Sequence, residues 1–488
     1  MKKFTLVLSA LLIASFALPF AGCADSGEKV VTLRVSSWEE YIDLGGWDEV
    51  IDLDSGDIIG KNSMVDDFVD RFNNREDHGF KVKVEYSTFG TNEDLYNRLS
   101  LGDTYDLVCP SDYMIMKLLA ENKLEKYSEE FLKEGTYTQN VSPYIAEVYD
   151  EYGWTEYAAC YMWGTSGFVY NPEKLVNDSD ISSCQILLNR DYNRAVTIKD
   201  NVRDAYFATL SIIFNEELMA GGSPADYLNR TDSETIGKAE DVLKEIKGNV
   251  YSFETDSGKA DMVTGKVVAN YQWSGDAVYI MDEADEDDTE LWYAVPEEGS
   301  NLWFDGWVML KDGIDGNEQR REAAEAFVNF LAEPENAIRN MYYIGYTSSI
   351  ATDKVFEYLE WNYGSEDEEA EGYPYDLNYF FGGEGDDYIV YADEANFDGV
   401  NRGRQLFAQY PPQNVIDRSV VMLDFGDKLS EINQMWINVR CPDLKDVSPA
   451  VWGVVGGIAG FSAIAICLYI FRHKIFTGYR PKKGYEKV

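Results

Sequence analysis

Near the start of the chain, apolar and polar residues alternate in two stretches. Each of these stretches is followed by a segment in which apolar residues recur at helical spacing. Residues 31–35 and 80–86 carry apolar side chains at every second position, which predicts half-buried strands. Residues 64–72 and 92–99 instead repeat apolar side chains every three or four positions, which predicts amphipathic helices. A short apolar strand is predicted at 107–109. The alternation of strands and helices predicts a parallel sheet with right-handed crossovers.

The same pattern returns in the middle of the chain. Residues 168–170, 195–198 and 267–271 are predicted strands, and helices are predicted to begin near Asn201 and Ser233. This repetition predicts a second α/β lobe. Residues 30–157 and 306–348 are assigned to lobe 1, and residues 158–305 and 349–445 to lobe 2. The chain is expected to cross between the lobes, and so to form a hinge, near residues 157–164, near residues 303–306 and after Ser348.

Hydrophobic segments at both ends predict attachment to a membrane. Residues 1–23 have the basic start, the apolar stretch and the small residues of a secretory signal peptide, and Cys23 closes it in the manner of a bacterial lipoprotein signal. An ordinary cleavage site with an unmodified Cys23 is the alternative. Residues 450–471 contain no charge and are long enough to cross a hydrocarbon core, which predicts a transmembrane helix. The basic tail, 472–488, is then expected in the cytoplasm and the ectodomain outside.

The charge balance and the scarcity of histidine exclude several functions. The chain has 87 acidic and 42 basic residues and a formal net charge of -45, which repels nucleic acid and concentrates cations. His78 and His473 are the only two histidines, so a His-based catalytic triad and a His-rich zinc site are excluded. No cofactor and no metal site are expected. The cysteines lack a metal-like spacing, and their disulfide state stays unassigned.

Four short segments each bring an aromatic residue close to a carboxylate. They are residues 38–41, 111–113, 273–276 and 303–305. The first three follow the ends of predicted strands, where α/β sheets bind ligands, and the fourth precedes a strand predicted at 307–310. An ammonium group that leaves water needs a carboxylate or an aromatic face, and the methylenes between ammonium groups need apolar walls. The pattern therefore predicts a site for an organic cation such as a linear polyamine.

The order of these segments resembles that in the spermidine- and putrescine-binding proteins of bacterial ABC importers. Residues 106–108 followed by Pro110 and Ser111, the Trp163–Gly164 pair and residues 344–346 match in the same order. The resemblance covers about residues 30–440. It implies a two-lobed, periplasmic-binding-protein-like α/β fold, here with a C-terminal transmembrane helix added. It also implies a protein without enzymatic activity that closes around an extended polyamine and delivers it to ABC permease subunits.

The resemblance further implies a set of ligand-binding residues. They are the aromatic residues Trp38, Tyr41, Tyr113, Trp273, Trp303 and Tyr346, the acids Glu40, Asp200, Asp276 and Asp305, and the further polar contacts Glu39 and Ser111. Asp276 follows a Trp-x-Gly sequence, as in the putrescine type of the family. Asp200 has a second interpretation, since it can cap the helix that follows it. The preference between putrescine and spermidine stays open.

Two features depart from the family, and other functions compete with transport. The insertions at 43–61 and 364–387 have no assigned role, and the identity of the permease is open. An extracellular glycosidase is the main alternative, because aromatic platforms and paired carboxylates also suit sugar hydrolysis. A binding protein for ferric ion or for an anion is a third hypothesis. The shortage of histidine argues against the metal, and the acids argue against the anion.

Overall fold

The computed structural model describes residues 29–75, 79–255, 257–365, 372–392 and 401–441. Its strands are β1 (Val30–Trp38), β2 (Lys81–Phe89), β3 (Leu107–Val108), β4 (Leu124–Glu125), β5 (Ala158–Tyr170), β6 (Val196–Lys199), β7 (Ser252–Glu254), β8 (Ala269–Trp273), β9 (Trp292–Ala294), β10 (Leu302–Leu310), β11 (Thr347–Ser348), β12 (Tyr373–Asp376), β13 (Ile389–Ala392) and β14 (Arg402–Gly403).

The α-helices lie between these strands and after them. They are α1 (Met64–Asn73), α2 (Asn92–Leu101), α3 (Asp112–Ala120), α4 (Glu129–Glu134), α5 (Thr136–Asn140), α6 (Pro143–Glu151), α7 (Val202–Ile213), α8 (Asn215–Met219), α9 (Pro224–Leu228), α10 (Ser233–Asn249), α11 (Ser257–Val263), α12 (Ser274–Asp285), α13 (Lys311–Ile314), α14 (Glu318–Leu331), α15 (Pro334–Ile344), α16 (Asp353–Tyr363), α17 (Asn378–Phe381), α18 (Gln405–Gln409), α19 (Gln413–Ile416) and α20 (Leu429–Arg440). Short 3-10 helices occur at Pro172–Lys174, Asp178–Ser182, Cys184–Leu187, Arg190–Tyr192 and Gly426–Lys428.

One mixed sheet runs through the molecule in the order β2-β1-β3-β10-β5-β8-β6-β7. At one end, β1 pairs in parallel with β2 and β3, and at the other end β6 pairs in parallel with β7 and β8. The prediction of parallel strands joined by helices is confirmed for β1 to β3 and for β6 to β8, whereas the strand predicted at 168–170 is part of β5 and runs antiparallel to β8. In the centre, β5 and β10 run antiparallel to each other and connect the two parallel parts.

Local sequence explains where the first helix begins and which face it buries. The Ser63 side chain accepts a hydrogen bond from the Asp66 backbone N–H and so satisfies one of the free donors at the start of α1. Met64, Phe68 and Phe72 are then buried on one face of α1, as their spacing predicts. This face packs in the same hydrophobic core as Leu33 of β1.

Buried residues form a first core around β1 to β3 and a second core around β6 to β8. Strand β5 contributes to both, with Trp163 in the first core and Phe168 in the second. The first core also contains Leu359 and Phe380, from the segment that the sequence analysis assigns to lobe 2. The division into two lobes with a hinge stays a prediction.

The placement of residues 303–305 differs from the expectation. Residues 303–305 were expected to precede a strand beginning at 307, but they lie inside β10, which begins at Leu302. The register of β10 against β5 shifts between Asp305 and Gly306. Every residue of β10 is buried, so no alternation of polar and apolar side chains marks where this strand begins.

The predicted membrane segments fall outside the described residues. These are the signal peptide, 1–23, with Cys23, the span, 450–471, and the tail, 472–488. Within the residues that the structure describes, none of the helices is long and apolar enough to cross a membrane. The acidic insertion 364–387 is described except for residues 366–371 and includes β12, which pairs with β13.

The first insertion, 43–61, is attached to the first core through a buried ion pair. A bridge between Ile51 and Ile58 closes a short antiparallel turn. The guanidinium of Arg339, on α15, contacts Asp43 at 2.7 Å, and both side chains are buried. The insertion is therefore held to the first core at its beginning.

Candidate functional site

A cavity of about 890 Å³ lies between the first and the second core. The carboxyl ends of β1 and β8 open onto it, as does the start of α3 beyond β3. Every residue that the sequence analysis assigned to ligand binding lines this cavity: Trp38, Glu39, Glu40, Tyr41, Ser111, Tyr113, Asp200, Trp273, Asp276, Trp303, Asp305 and Tyr346. The structure thus brings all of them together, while their contact with a ligand stays a prediction.

Asp305 is a buried carboxylate to which the described residues supply no cationic partner. Only 6% of the residue is exposed, and the Tyr41 hydroxyl donates a hydrogen bond of 2.6 Å to its Oδ2. Among the described residues no donor bonds its buried Oδ1. Burial raises the pKa of Asp305 to about 6, although the hydroxyls of Ser111 and Tyr41 act in the opposite direction. A carboxylate desolvated in this way gains strongly from a cation that enters the cavity.

Aromatic rings surround this carboxylate. The centre of the Tyr41 ring lies 4.9 Å from that of Tyr346, and the centre of the Trp303 ring lies 5.8 Å from Tyr346. On another side of the cavity, the rings of Trp38 and Trp273 meet edge to face at 6.5 Å. The Trp303 indole N–H donates to the Thr165 carbonyl, so its polar atom is satisfied in the wall. These flat faces suit both methylene groups and ammonium groups.

Asp276, in contrast, already has two cations. The Lys199 ammonium lies 3.3 Å from its Oδ2, and the Lys259 ammonium lies 2.9 Å from its Oδ1. Burial raises the pKa of Asp276, but the two lysines outweigh this effect and hold the pKa below its usual value. The same Lys199 ammonium stands 3.8 Å from the centre of the Trp273 ring. Sequence reasoning missed both lysines, since no motif connects residues so far apart in the chain.

Arg203 is a further cation that the sequence analysis did not identify. Its guanidinium lies 3.5 Å from the centre of the Tyr113 ring, 3.6 Å from a Glu93 carboxylate oxygen and 3.4 Å from an Asp424 carboxylate oxygen. Arg203 lies in the first turn of α7, a helix that packs in the second core, whereas Tyr113 belongs to the first core. Arg203 therefore connects the two sides of the cavity.

Asp204 lines the cavity beside Arg203 and was also missed. It is 3% exposed, and its Oδ1 accepts a hydrogen bond of 3.3 Å from the Trp273 indole N–H. Burial raises the pKa of Asp204 to about 6, although Lys199 lowers it. The available signal was its position four residues after Asp200, in the first turn of α7.

The alternative interpretation of Asp200 as a helix cap is wrong. The Asn201 side chain caps α7 by accepting hydrogen bonds from the backbone N–H groups of Arg203 and Asp204. Asp200 instead pairs with Arg440 at 2.7 Å and is 30% exposed at its side chain. It lies at the rim of the cavity, where water screens its charge.

Of the remaining predicted residues, two are exposed and two are held in place by hydrogen bonds. Glu39 and Glu40 are exposed, and Glu40 has a left-handed backbone conformation with φ of 52°. Ser111 and Tyr113 are positioned by Asn92, whose side-chain amide donates to both hydroxyl oxygens at 3.0 and 2.8 Å. Asn92 is buried, and the sequence analysis treated it only as the start of a helix.

Acidic side chains outnumber basic ones around the cavity. The acids that line it are Glu39, Glu40, Glu93, Asp112, Asp200, Asp204, Asp276, Glu283 and Asp305, and the bases are Arg203 and Lys259. Asp112 has a structural task, because it accepts hydrogen bonds from the backbone N–H groups of Tyr113 and Phe304. Burial raises the pKa of Asp112 to about 8. In the described part of the chain, His, Cys, Asp and Glu residues form no group suited to a metal ion.

Comparisons with known proteins agree with this geometry. The family model described as bacterial extracellular solute-binding protein matches residues 67–361. The spermidine/putrescine-binding periplasmic protein of Salmonella typhimurium is 28% identical over 278 residues, which cover 56% of this chain and 72% of the relative. The putrescine-binding periplasmic protein SpuD of Pseudomonas aeruginosa is 26% identical over 345 residues, which cover 69% of this chain and 82% of the relative.

Solved structures share the fold. The spermidine/putrescine ABC transporter substrate-binding protein PotD from Streptococcus pneumoniae superimposes with a TM-score of 0.54 at 23% identity, covering 84% of this chain and 98% of that protein. The Tp0655 (TpPotD) lipoprotein of Treponema pallidum gives a TM-score of 0.57 at 18% identity, covering 84% of this chain and 99% of that protein. The expected periplasmic-binding-protein-like α/β fold is confirmed.

The matched family consists of solute-binding proteins of transport systems and is not a family of enzymes, so the glycosidase alternative has no support. The model match spans more than half of the chain and includes α3, β5, α7, β8 and β10, the elements that carry most of the cavity's buried acids and aromatic rings. The chain therefore belongs to the family of bacterial extracellular solute-binding proteins.

Proposed function

We propose that this chain is the membrane-tethered, substrate-binding component of a polyamine ABC importer, and that putrescine or spermidine binds in the cavity between the two cores. The relatives named above as spermidine- and putrescine-binding proteins support this proposal. So does the excess of acids over bases around the cavity, which attracts a polycation.

The observation that carries the proposal is the state of Asp305. Its carboxylate is buried, it lies among aromatic rings, and among the described residues no cation pairs with it. A buried charge without a partner destabilises a protein, so such a group is retained where a ligand completes it. An ammonium group at Asp305 would form a charge-assisted hydrogen bond, while the Trp303 and Tyr346 rings would contact the adjoining methylenes.

Closure of two lobes around the amine would exclude water from this ion pair. Residues on both cores line the cavity, and β5 and β10 run between the cores. Three or four ammonium and aromatic contacts, each contributing about 1.5 to 3 kcal/mol, would give micromolar binding or better after the cost of closure. We expect the closed form to be the one that the permease recognises.

Attachment to the membrane forms part of the same proposal. The predicted span at 450–471, with its basic tail at 472–488 in the cytoplasm, would hold the binding domain at the outer face of the membrane. Acylation of Cys23 would provide a second attachment. Incorporation of labelled palmitate into the wild-type chain, and its loss in Cys23→Ala, would distinguish the two anchors.

Isothermal titration calorimetry of the purified protein with putrescine, with spermidine and with a neutral sugar tests the function. We expect saturable binding of an amine and none of the sugar. Asp305→Asn should weaken amine binding by about 100-fold, because it removes a buried ion-pair partner without changing size. Asp241→Asn, which neutralises an exposed acid of α10, is the matched control. The absence of heat with both amines would overturn the proposal.

A further inference from the structure

Asp276 and Asp305, two of the buried carboxylates of the cavity, differ in what they already bind. Both oxygens of Asp276 are engaged by ammonium groups, from Lys199 at 3.3 Å and from Lys259 at 2.9 Å. Asp305 receives hydroxyl contacts, and no ion pair to it occurs within the described residues. Within the described residues, the protein thus supplies its own cations at Asp276 and supplies none at Asp305.

The Lys199 ammonium has around it the groups that stabilise an ammonium group out of water. Its nitrogen faces the Trp273 ring at 3.8 Å, contacts Asp276 and donates to the Thr255 carbonyl oxygen at 3.3 Å. Aromatic face, carboxylate and carbonyl oxygen together form a complete ammonium site. The side chain is 1% exposed, so Lys199 is fixed in this position.

Lys259 is the more accessible of the two lysines. It projects from α11, lines the cavity and keeps 21% of its side chain exposed. Its ammonium also lies 5.5 Å from the centre of the Tyr279 ring. A lysine at the surface loses less on moving into water than a buried one does. Lys259 is therefore the cation that a ligand would have to displace from Asp276.

We propose that Lys199 and Lys259 are specificity-determining residues, which occupy the cation position formed by Trp273 and Asp276 so that a bound amine forms its buried ion pair at Asp305 and not at Asp276. This inference rests on the proposed function. It means that a second ammonium group of the ligand competes with the protein's own lysines for the Asp276 carboxylate. The many acids around the cavity suggest that affinity rises with the number of ammonium groups in the ligand. Because lysines already pair with Asp276, we expect a smaller rise.

Calorimetry with butylamine, putrescine and spermidine, which carry one, two and three ammonium groups, tests the inference. Lys259→Met keeps the length of the side chain and removes its charge. In this variant we expect putrescine or spermidine to bind at least about tenfold more tightly, while butylamine changes by less than about twofold. Lys266→Met is the control, because Lys266 pairs with Asp261 at 2.9 Å and does not line the cavity.

The outcomes separate the inference from the proposed function. Equal changes for all three amines, no change, or weaker binding of the longer amines in Lys259→Met would overturn the inference while amine binding by the unaltered chain still stood. Binding of no amine by the unaltered chain would overturn both. Lys259→Gln, which keeps a polar group at the surface, is the second variant if Lys259→Met has an altered melting temperature.

Discussion

The Arg203 guanidinium lies 3.5 Å from the centre of the Tyr113 ring, and this contact joins the two cores across the cavity. On its other side the guanidinium faces the Phe425 ring at 4.1 Å. Its planar group also reaches the Leu423 carbonyl oxygen at 3.1 Å and the Asp424 carboxylate at 3.4 Å. A lysine would keep the charge but lose the stacking on two rings.

The first prediction concerns the stability that this contact provides. Arg203→Ala should lower the free energy of unfolding by about 3 kcal/mol, because it removes the cation beside Asp424 and leaves the two rings without a partner. Arg203→Lys should lose less, since it keeps the charge. Urea denaturation followed by tryptophan fluorescence measures both effects.

A surface ion pair provides the control for this experiment. Lys238 and Glu234 pair on the exposed face of α10, and Lys238→Ala is expected to leave the unfolding midpoint unchanged. Equal losses in Arg203→Lys and Arg203→Ala would show that charge contributes nothing and that stacking accounts for the whole effect. An unchanged midpoint in both would contradict the role assigned to Arg203.

Periodicity predicted the parts of the fold in which side chains alternate regularly or repeat at helical spacing. The strands β1 and β2 and the helices α1 and α10 follow this rule, because one face of each is buried and the other faces water. The central strands do not follow it. Every residue of β5 and β10 is buried, so no alternation exists to reveal their length.

The sequence predicted acids of the cavity, but it did not predict the lysines that pair with one of them. A carboxylate beside a tryptophan at the end of a strand is a local pattern, and Asp276 and Asp305 were both found in this way. Lys199 and Lys259 reach Asp276 from positions distant in the chain, and the pairing of β6 with β8 and the packing of α11 against α12 bring them there. Local patterns therefore predicted the polarity of the cavity but not its charge balance.

The second prediction is a loss of amine affinity in mild acid. Burial raises the pKa of Asp305 to about 6, and the protonated carboxyl carries no charge to attract an ammonium group. Affinity for putrescine should therefore weaken as the pH falls through 6, approaching about tenfold per pH unit well below that value. Calorimetry between pH 5 and pH 8 measures this dependence.

Two variants assign this pH dependence to its residue. Asp305→Asn should bind weakly and with a flatter pH profile, because its amide does not titrate. The pKa of Asp204 is also raised by burial to about 6, so Asp204→Asn separates its contribution from that of Asp305. If the steep profile persists in Asp305→Asn and disappears in Asp204→Asn, the pH dependence belongs to Asp204 and the prediction for Asp305 is wrong.

The third prediction is that the ligand-free protein becomes more stable as the pH falls from 7.5 to 5. Asp204 and Asp305 have a pKa of about 6 in the folded protein, against about 3.9 in an unfolded chain. In this window the folded protein takes up protons that the unfolded chain does not, so protonation favours folding, by up to about 1.4 kcal/mol per group and pH unit. Asp276, whose pKa is lowered, loses its stabilising charge only at more acidic pH.

Urea denaturation at pH 7.5 and at pH 5 measures this effect. The gain should be smaller in Asp305→Asn, which has one titrating group fewer. It should also be smaller in the presence of saturating putrescine, because a bound ammonium lowers the pKa of Asp305 and opposes protonation. A fall in stability over this window, equal in the wild type and in Asp305→Asn, would contradict the prediction.

The fourth prediction is that Gly275→Ala, which changes no charge, displaces the aromatic ring of Tyr346 in the cavity wall. Gly275 lies in the first turn of α12, and a Cβ atom at this position would overlap the Tyr346 ring. Gly275→Ala should therefore displace that ring, which packs against Tyr41 and Trp303, and should weaken amine binding by about tenfold.

Gly237→Ala is the matched control, since Gly237 lies exposed in α10 with no atom within 4 Å of a new Cβ. The control should raise the free energy of unfolding by about 1 kcal/mol through helix propensity and leave affinity unchanged. If both variants bind amine as the wild type does, the Tyr346 ring is not part of the binding surface.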